Sequence, residues 1–341
     1  MTRFFALAVF LSMGIDFSGI HAQETLVDRL RKKGAVIRFK DGEPAEISYG
    51  TIFGGGKFSD AYLKEICQIQ TWREVLLGTT QITNDGLKEL WNLPNLQVLA
   101  FGSDEVTDEG LKHLAKSKRL RELRLRLPKT THEGFKFLAD LETIENLEFG
   151  VCSDACLREL PRYRALKFLS LSRTKVTDDG MPALAEVKTL EKLHLWETAV
   201  TDKGIMALSP TKSLKTLMLD GTNVSDACLP YLGKMPNLRS LSLGRTRVTD
   251  SGLPELAKME HLTFLRLAQT KITDDGLKHV VLMKALEALD LNSTSITDDG
   301  LKTLLSLPKL RTLHLNGAKG VTREAVEAFR KAKPYTIVIW R

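Results

Sequence analysis

The sequence predicts an α/β solenoid: a curved stack of about twelve strand–turn–helix coils, with a parallel sheet on the concave side and helices outside. Three observations predict it. First, the phrase Thr-Asp-x-Gly-Leu recurs on a 24-residue period, at Thr107–Leu111, Thr249–Leu253, Thr273–Leu277 and Thr297–Leu301, with Ser225–Leu229 as a variant. A fixed period in this range marks stacked supersecondary units. Second, Leu238, Leu241 and Leu243 alternate with polar residues, the period of a strand with one buried face. Third, each phrase carries a helix start. Thr249 can accept a first-turn N–H at the N-cap, Asp250 sits where the helix dipole favours negative charge, and Val248 with Leu253 forms a hydrophobic staple.

The elements follow in order. Residues 1–22 read as a secretory signal: Arg3 gives a basic start, Phe4–Ile15 is almost unbroken apolar sequence, and Ala22 is a small residue at the cleavage point. Twelve apolar residues are too few for a bilayer span, which needs about 20. Residues 23–57 read as an N-terminal cap. Glu24–Lys33 forms a short amphipathic helix stopped by Gly34, and Ala35–Lys40 pairs with Ala45–Tyr49 through an Asp41-Gly42 turn. Residues 58–341 form the solenoid, with phrases centred at 59, 83, 107, 131, 153, 177, 201, 225, 249, 273, 297 and 322 marking twelve coils. Thr336–Trp340 reads as the closing strand. Parallel strands lie about 4.8 Å apart, so the spine is about 55 Å long. Packed helices need about 8–10 Å, so the helical side is longer and the sheet lies inside the curve.

Glycine at the third helical position costs about 1 kcal/mol against alanine. Its recurrence implies close approach of neighbouring helices, and Cys156, Cys228 and Ala325 are small residues in the same slot. Between Phe149 and Ser153 the turn is two residues shorter than elsewhere, and Leu127–His132 departs from the usual turn, so a kink or change of twist is expected near 126–153.

The Leu-x-x-Leu-x-Leu strand and the Val-Thr-Asp-x-Gly-Leu phrase resemble the leucine-rich repeat, over roughly residues 47 to 341. The 24-residue unit is most similar to repeats of secreted bacterial proteins and of F-box proteins, the cysteine-containing class. The resemblance implies a right-handed horseshoe that works by binding. Here the usual Asn or Cys after the strand is mostly Thr, at Thr80, Thr174, Thr198, Thr222, Thr246, Thr270 and Thr294; a hydroxyl can bond the turn backbone of its own or the next coil.

Composition narrows function. A net charge of +7 is spread along the repeats with no run of five like charges, so no nucleic-acid arm is present. Cys67, Cys152, Cys156 and Cys228 do not form a disulfide framework. Cys152 and Cys156 leave a bridge or a shared metal open, although no flanking His or second Cys pair supports a metal. His194 and His314 fall five strands, about 24 Å, apart and cannot share a site. No Ser-His-Asp or Cys-His set falls on adjacent strands. The reading is therefore a non-enzyme with no cofactor, no metal and no catalytic residue. The expected partner-binding residues are Phe168, His194, Trp196, Met218, Asp220, Phe264 and Arg266, since an exposed Trp beside Met has the composition of a hot spot. A second, charged patch comprises Arg121, Glu122, Arg124, Arg126 and Glu148, with mutual salt bridging the simpler reading and an anionic ligand the alternative. The protein is expected to be a secreted or periplasmic monomer that binds a protein, without membrane insertion after signal cleavage. An F-box-like adaptor in ubiquitin transfer and a cell-wall or carbohydrate module are the rivals.

Overall fold

The structure is a computed structural model that describes residues 17–49 and 58–341. Residues 1–16 of the expected signal segment, and 50–57 at the end of the expected cap, lie outside the described residues. Helix α1 (Phe17–Lys32) begins earlier than expected, within the segment assigned to the signal, and ends where Gly34 takes φ +97°. Strands β1 (Ala35–Lys40) and β2 (Glu43–Tyr49) form the expected antiparallel hairpin across Asp41-Gly42, with a bulge between Arg38 and Phe39. The hairpin does more than cap the stack. β2 pairs in parallel with the first solenoid strand, so the hairpin belongs to the same sheet.

That sheet has 14 strands in strict chain order. The solenoid strands are β3 (Glu74–Thr80), β4 (Val98–Ser103), β5 (Glu122–Arg126), β6 (Asn146–Phe149), β7 (Phe168–Ser170), β8 (Lys192–His194), β9 (Thr216–Met218), β10 (Ser240–Ser242), β11 (Phe264–Arg266), β12 (Ala288–Asp290), β13 (Thr312–His314) and β14 (Ile337–Ile339). Successive solenoid strands are joined through one or two helical segments and pair in register, as Leu217, Leu241 and Leu265 do. This is the twelve-coil α/β solenoid the repeat requires. The repeated leucines are fully buried, so each coil's apolar edge is covered by its neighbours.

The Thr-Asp-x-Gly phrase works differently from expectation. Thr249 does cap its own helix, accepting from Ser251 N–H. Asp250, however, reaches forward one coil. Its carboxylate accepts the Thr273 amide at 2.9 Å and the Thr273 hydroxyl at 2.6 Å. The same strut runs from Asp60–Thr83 to Asp298–Thr322. Asn84 serves the same end with its amide, accepting from the Thr107 N–H and donating to the Thr107 hydroxyl. The glycine slot follows from this strut. A Cβ on Gly276 would stand 2.2 Å from Asp250 Oδ1. The space is kept for the preceding coil's carboxylate more than for a neighbouring helix backbone.

Among the described residues the strut is missing at His132, which stands where Asp is required, and Ser153 opposite it has no such bond. This is the coil with the shortened turn. The chain also changes habit there. β3 to β6 shorten from seven residues to four, and every later strand has three. From β7 to β13 each strand exits through a left-handed residue: Arg173, Glu197, Gly221, Arg245, Gln269, Ser293 and Gly317. The N–H of each donates to the next coil, as Glu197 N does to Asp220 O. The threonine slot behaves both ways foreseen. Thr80 bonds the next coil at Gly102 O, whereas Thr174 to Thr294 bond the leucine carbonyl three residues back.

Candidate functional site

The concave face is built from the residues flanking each buried strand leucine. Around Leu193 these are Lys192 and His194, with Trp196 next on the same side. Register places Phe168 beside Lys192, Ser170 beside His194, and His194 beside Met218. Side chains then meet diagonally. The Phe168 ring contacts His194 edge-on, at 4.9 Å and 89°, and His194 stacks on Trp196 at 5.9 Å and 14°. Three aromatic rings thus cross two strands, and Trp196 at their end is 43% exposed. Burial, with Lys192 adding to it, holds the His194 imidazole below its ordinary pKa, partly opposed by Asp220.

A shallow groove of about 650 Å³ lies alongside, lined by Phe168, His194, Met218 and Lys192 together with Glu122, Arg124 and Glu148. Two patches that the sequence reading kept separate therefore share one groove. Within the charged end, Arg124 pairs with Glu122, and Arg121 with Glu145. Lys167 joins Glu145 at 2.8 Å, and that hydrogen bond, with Arg121, holds the Glu145 carboxyl below the usual range. Arg126 and Glu148 are exposed and form no ion pair among the described residues. Mutual pairing thus accounts for Arg121, Glu122 and Arg124 and leaves two charges available.

Asp220, Arg266 and Phe264 lie outside this groove. Arg266 spans the floor of the sheet, its guanidinium 3.1 Å from Asp220 and 2.9 Å from Asp290. It crosses over Gly244, where a Cβ would sit 2.6 Å from Asp220 Oδ1. These three charges pair with one another, and sequence reasoning did not single out Asp290, which faces Arg266 from the adjacent strand β12. Phe264 is four strand spacings, about 19 Å, from Phe168 and takes no part in the aromatic run. His194 and His314 lie on β8 and β13, as the strand count required.

Among the described residues no three His, Cys, Asp or Glu side chains gather to hold a metal ion. No described helix is long and apolar enough to cross a membrane.

A leucine-rich repeat family model matches residues 234–257, 258–280 and 284–305. Among solved structures, the chain is similar to an internalin from Listeria monocytogenes, with 22% identity over 81% of this chain and 82% of that one, at a TM-score of 0.56. It is also similar to a leucine-rich repeat protein of Leptospira interrogans, with 19% identity over 81% of this chain and 80% of that one, at a TM-score of 0.48. No curated protein matches the chain. The fold is a leucine-rich-repeat solenoid.

Proposed function

We propose that the protein is a non-catalytic scaffold that holds a protein partner in the concave groove between β5 and β10. The observation that carries this reading is the run of Phe168, His194 and Trp196 across the sheet, with Met218 beside it. A ring exposed next to a groove offers a large apolar contact at little entropic cost, which is what hot spots require. Glu148 supplies an unpaired charge at one end of the groove, with the unpaired Arg126 on the neighbouring strand β5 just outside it, suited to fixing a partner's register more than its affinity. Arg121, Glu122 and Arg124 frame that end as pairs. Phe264 and the Asp220–Arg266 pair mark the far limit of the surface.

The apolar start of the chain supports a secreted or periplasmic location, and the scaffold is taken to act there as a monomer, without cofactor or nucleic acid. The F-box reading has less support. It requires a three-helix adaptor-binding segment, whereas the described residues ahead of the first coil form one helix and a hairpin.

The test uses the mature chain as bait in an extracytoplasmic fraction, followed by titration of the captured protein. Trp196→Ala and Met218→Ala are each expected to weaken binding, Trp196→Ala by about 30-fold, corresponding to about 2 kcal/mol. Unchanged affinity in both variants would remove the site. Capture of a wall polysaccharide in place of a protein would favour the carbohydrate reading, since the same rings can stack on sugar faces.

A further inference from the structure

In this solenoid the residue before each N-cap and the third helical residue are four apart and face each other. The first slot holds Ile82, Val106, Val176, Val200, Val224 and Val248; the second holds Gly86, Gly110, Gly180, Gly204, Cys228 and Gly252. Their spacing can be read from the glycine coils. A Cβ built on Gly204 lies 2.9 Å from Val200 Cγ1, one on Gly110 lies 3.0 Å from Val106 Cγ1, and one on Gly86 lies 3.1 Å from Ile82 Cγ2. A disulfide needs one sulfur about 3 Å from the other residue's Cβ, given its bond length and angle. The Cγ of a β-branched residue occupies a rotamer position that a Cys Sγ can take. The two slots thus stand at disulfide spacing in these three coils. In one coil both hold cysteine, Cys152 and Cys156.

We propose that Cys152 and Cys156 form a redox-active dithiol that closes to an intrachain disulfide when it meets a low-molecular-weight disulfide. Both thiols are free and buried in the structure, and Cys152 Sγ lies 3.5 Å from the Ser153 carbonyl, one residue into the turn that carries Cys156. The neighbouring Cys152 thiol lowers the Cys156 pKa to about 7, making it the first nucleophile. Its thiolate attacks one sulfur of the small disulfide and releases one thiol, leaving a mixed disulfide on Cys156. Cys152 then gives up its proton, attacks the Cys156 sulfur and releases the second thiol. Two protein thiols are oxidised and the small disulfide is reduced to two thiols. Access comes from the coil itself. The strut that ties each N-cap to the coil before it is missing at Ser153, where His132 replaces the carboxylate, so this turn opens more readily than its neighbours. Cys67 and Cys228, buried without a second thiol beside them, stay inert; burial drives both upward in pKa, Cys67 to about 12.

The experiment treats the folded, reduced full chain with oxidised glutathione, blocks remaining thiols, and reads the tryptic peptide spanning residues 137–158 by mass. The same treatment in urea confirms that the oxidant is active. The expected result is a peptide lighter by about two mass units that takes up no blocking reagent, the signature of an internal disulfide. In Cys152→Val, which restores the residue usual at that slot, Cys156 should stop as a glutathione adduct. A wild-type peptide that stays fully reduced, or that retains a glutathione adduct at either cysteine, overturns the proposal.

Discussion

Replacing Asp250 and Gly276 singly and together measures whether the inter-coil strut explains the repeat. Asp250 accepts two hydrogen bonds from Thr273. Bonds to a charged group contribute about 1.5–3 kcal/mol each, and here the hydroxyl regains water when the carboxylate is lost. Asp250→Ala should therefore cost about 2–3 kcal/mol. Gly276→Ala puts a Cβ 2.2 Å from Asp250 Oδ1 and 2.8 Å from Leu253 Cδ1. The carboxylate must leave Thr273, so most of the strut is lost, offset by about 1 kcal/mol of better helix propensity. The net cost is about 1–2 kcal/mol. In the Asp250→Ala background the first clash has gone, and Leu253 can turn its flexible end aside. There Gly276→Ala should be neutral or stabilising by up to about 1 kcal/mol. The coupling is about 2 kcal/mol, well above the 0.5 kcal/mol expected of independent sites. The assay is urea unfolding, with hydrogen-exchange protection of the helix Asp274–Val280 as the local measure, since a solenoid can unravel from one end. If Gly276→Ala costs the same with and without the carboxylate, the glycine is explained by something other than the strut.

Further outcomes follow from other residues. Gln269 holds φ +57° with an exposed side chain, so Gln269→Gly should stabilise the protein by about 0.5–1 kcal/mol in thermal unfolding, and a loss of stability would show that its side chain contributes. Leu241→Ala, at a fully buried strand position, should cost about 3–5 kcal/mol; a cost near 1 would mean the coil collapses around the cavity. The backbone N–H and hydroxyl of Thr322 hold the Asp298 carboxyl below its ordinary pKa. Because the folded value lies below the unfolded one, the stabilisation is present above the unfolded pKa and fades as pH falls through the folded value. Asp298→Asn should flatten that acid limb, and an unchanged limb would place the linkage elsewhere. His194 should titrate below the free-imidazole value by NMR, as its burial dictates, and a normal midpoint would mean that its stack on Trp196 opens in solution.

The sequence made the fold legible because its period states which residues share a face. The hairpin, the Thr caps and the turn threonines could all be placed from residue chemistry. The strut could not, because Asp250 and Thr273 meet only after the chain has gone once round the coil. A sequence-level signal did exist in the pairing of Asp and Gly across the repeats. The left-handed exits were hidden for another reason: only Gly221 and Gly317 mark that slot with the residue that favours it, and Arg173, Glu197 and Arg245 hide it. Glu197 is held between Arg173 and Arg245, an arrangement that offsets part of the backbone cost. Prolines at 182, 230 and 254 likewise open their helices through a 3₁₀ turn that periodicity alone does not distinguish. The concave residues were found by column, but their grouping needed side-chain reach. Arg266 had to be seen crossing Gly244 before it could be removed from the groove.

The coil around residues 126–168 departs from the repeat at several points, and the departures are physically linked. Losing the Asp at 132 removes the strut to Ser153. Removing two residues from the turn shortens the path from β6 to the next helix. Tyr163 then fills the slot beneath, and its hydroxyl donates to Phe135 O at 2.9 Å across the junction. On the convex side the same junction carries the two cysteines. On the concave side, β6 brings the unpaired Glu148 to the groove that β7 and β8 line with Phe168 and His194. A uniform stack of this kind presents a uniform sheet, whereas a junction between two coil geometries places unlike neighbours side by side. Sequences that fold well violate their own local rules mainly where something other than folding is selected. If that holds here, restoring the rule should separate the two roles. His132→Asp should rebuild the strut and raise stability by about 1–2 kcal/mol, while leaving partner affinity unchanged, because the strut lies on the helical side of the coil and the groove on the sheet side. A variant that gained stability and lost binding would show that the partner needs this junction loose.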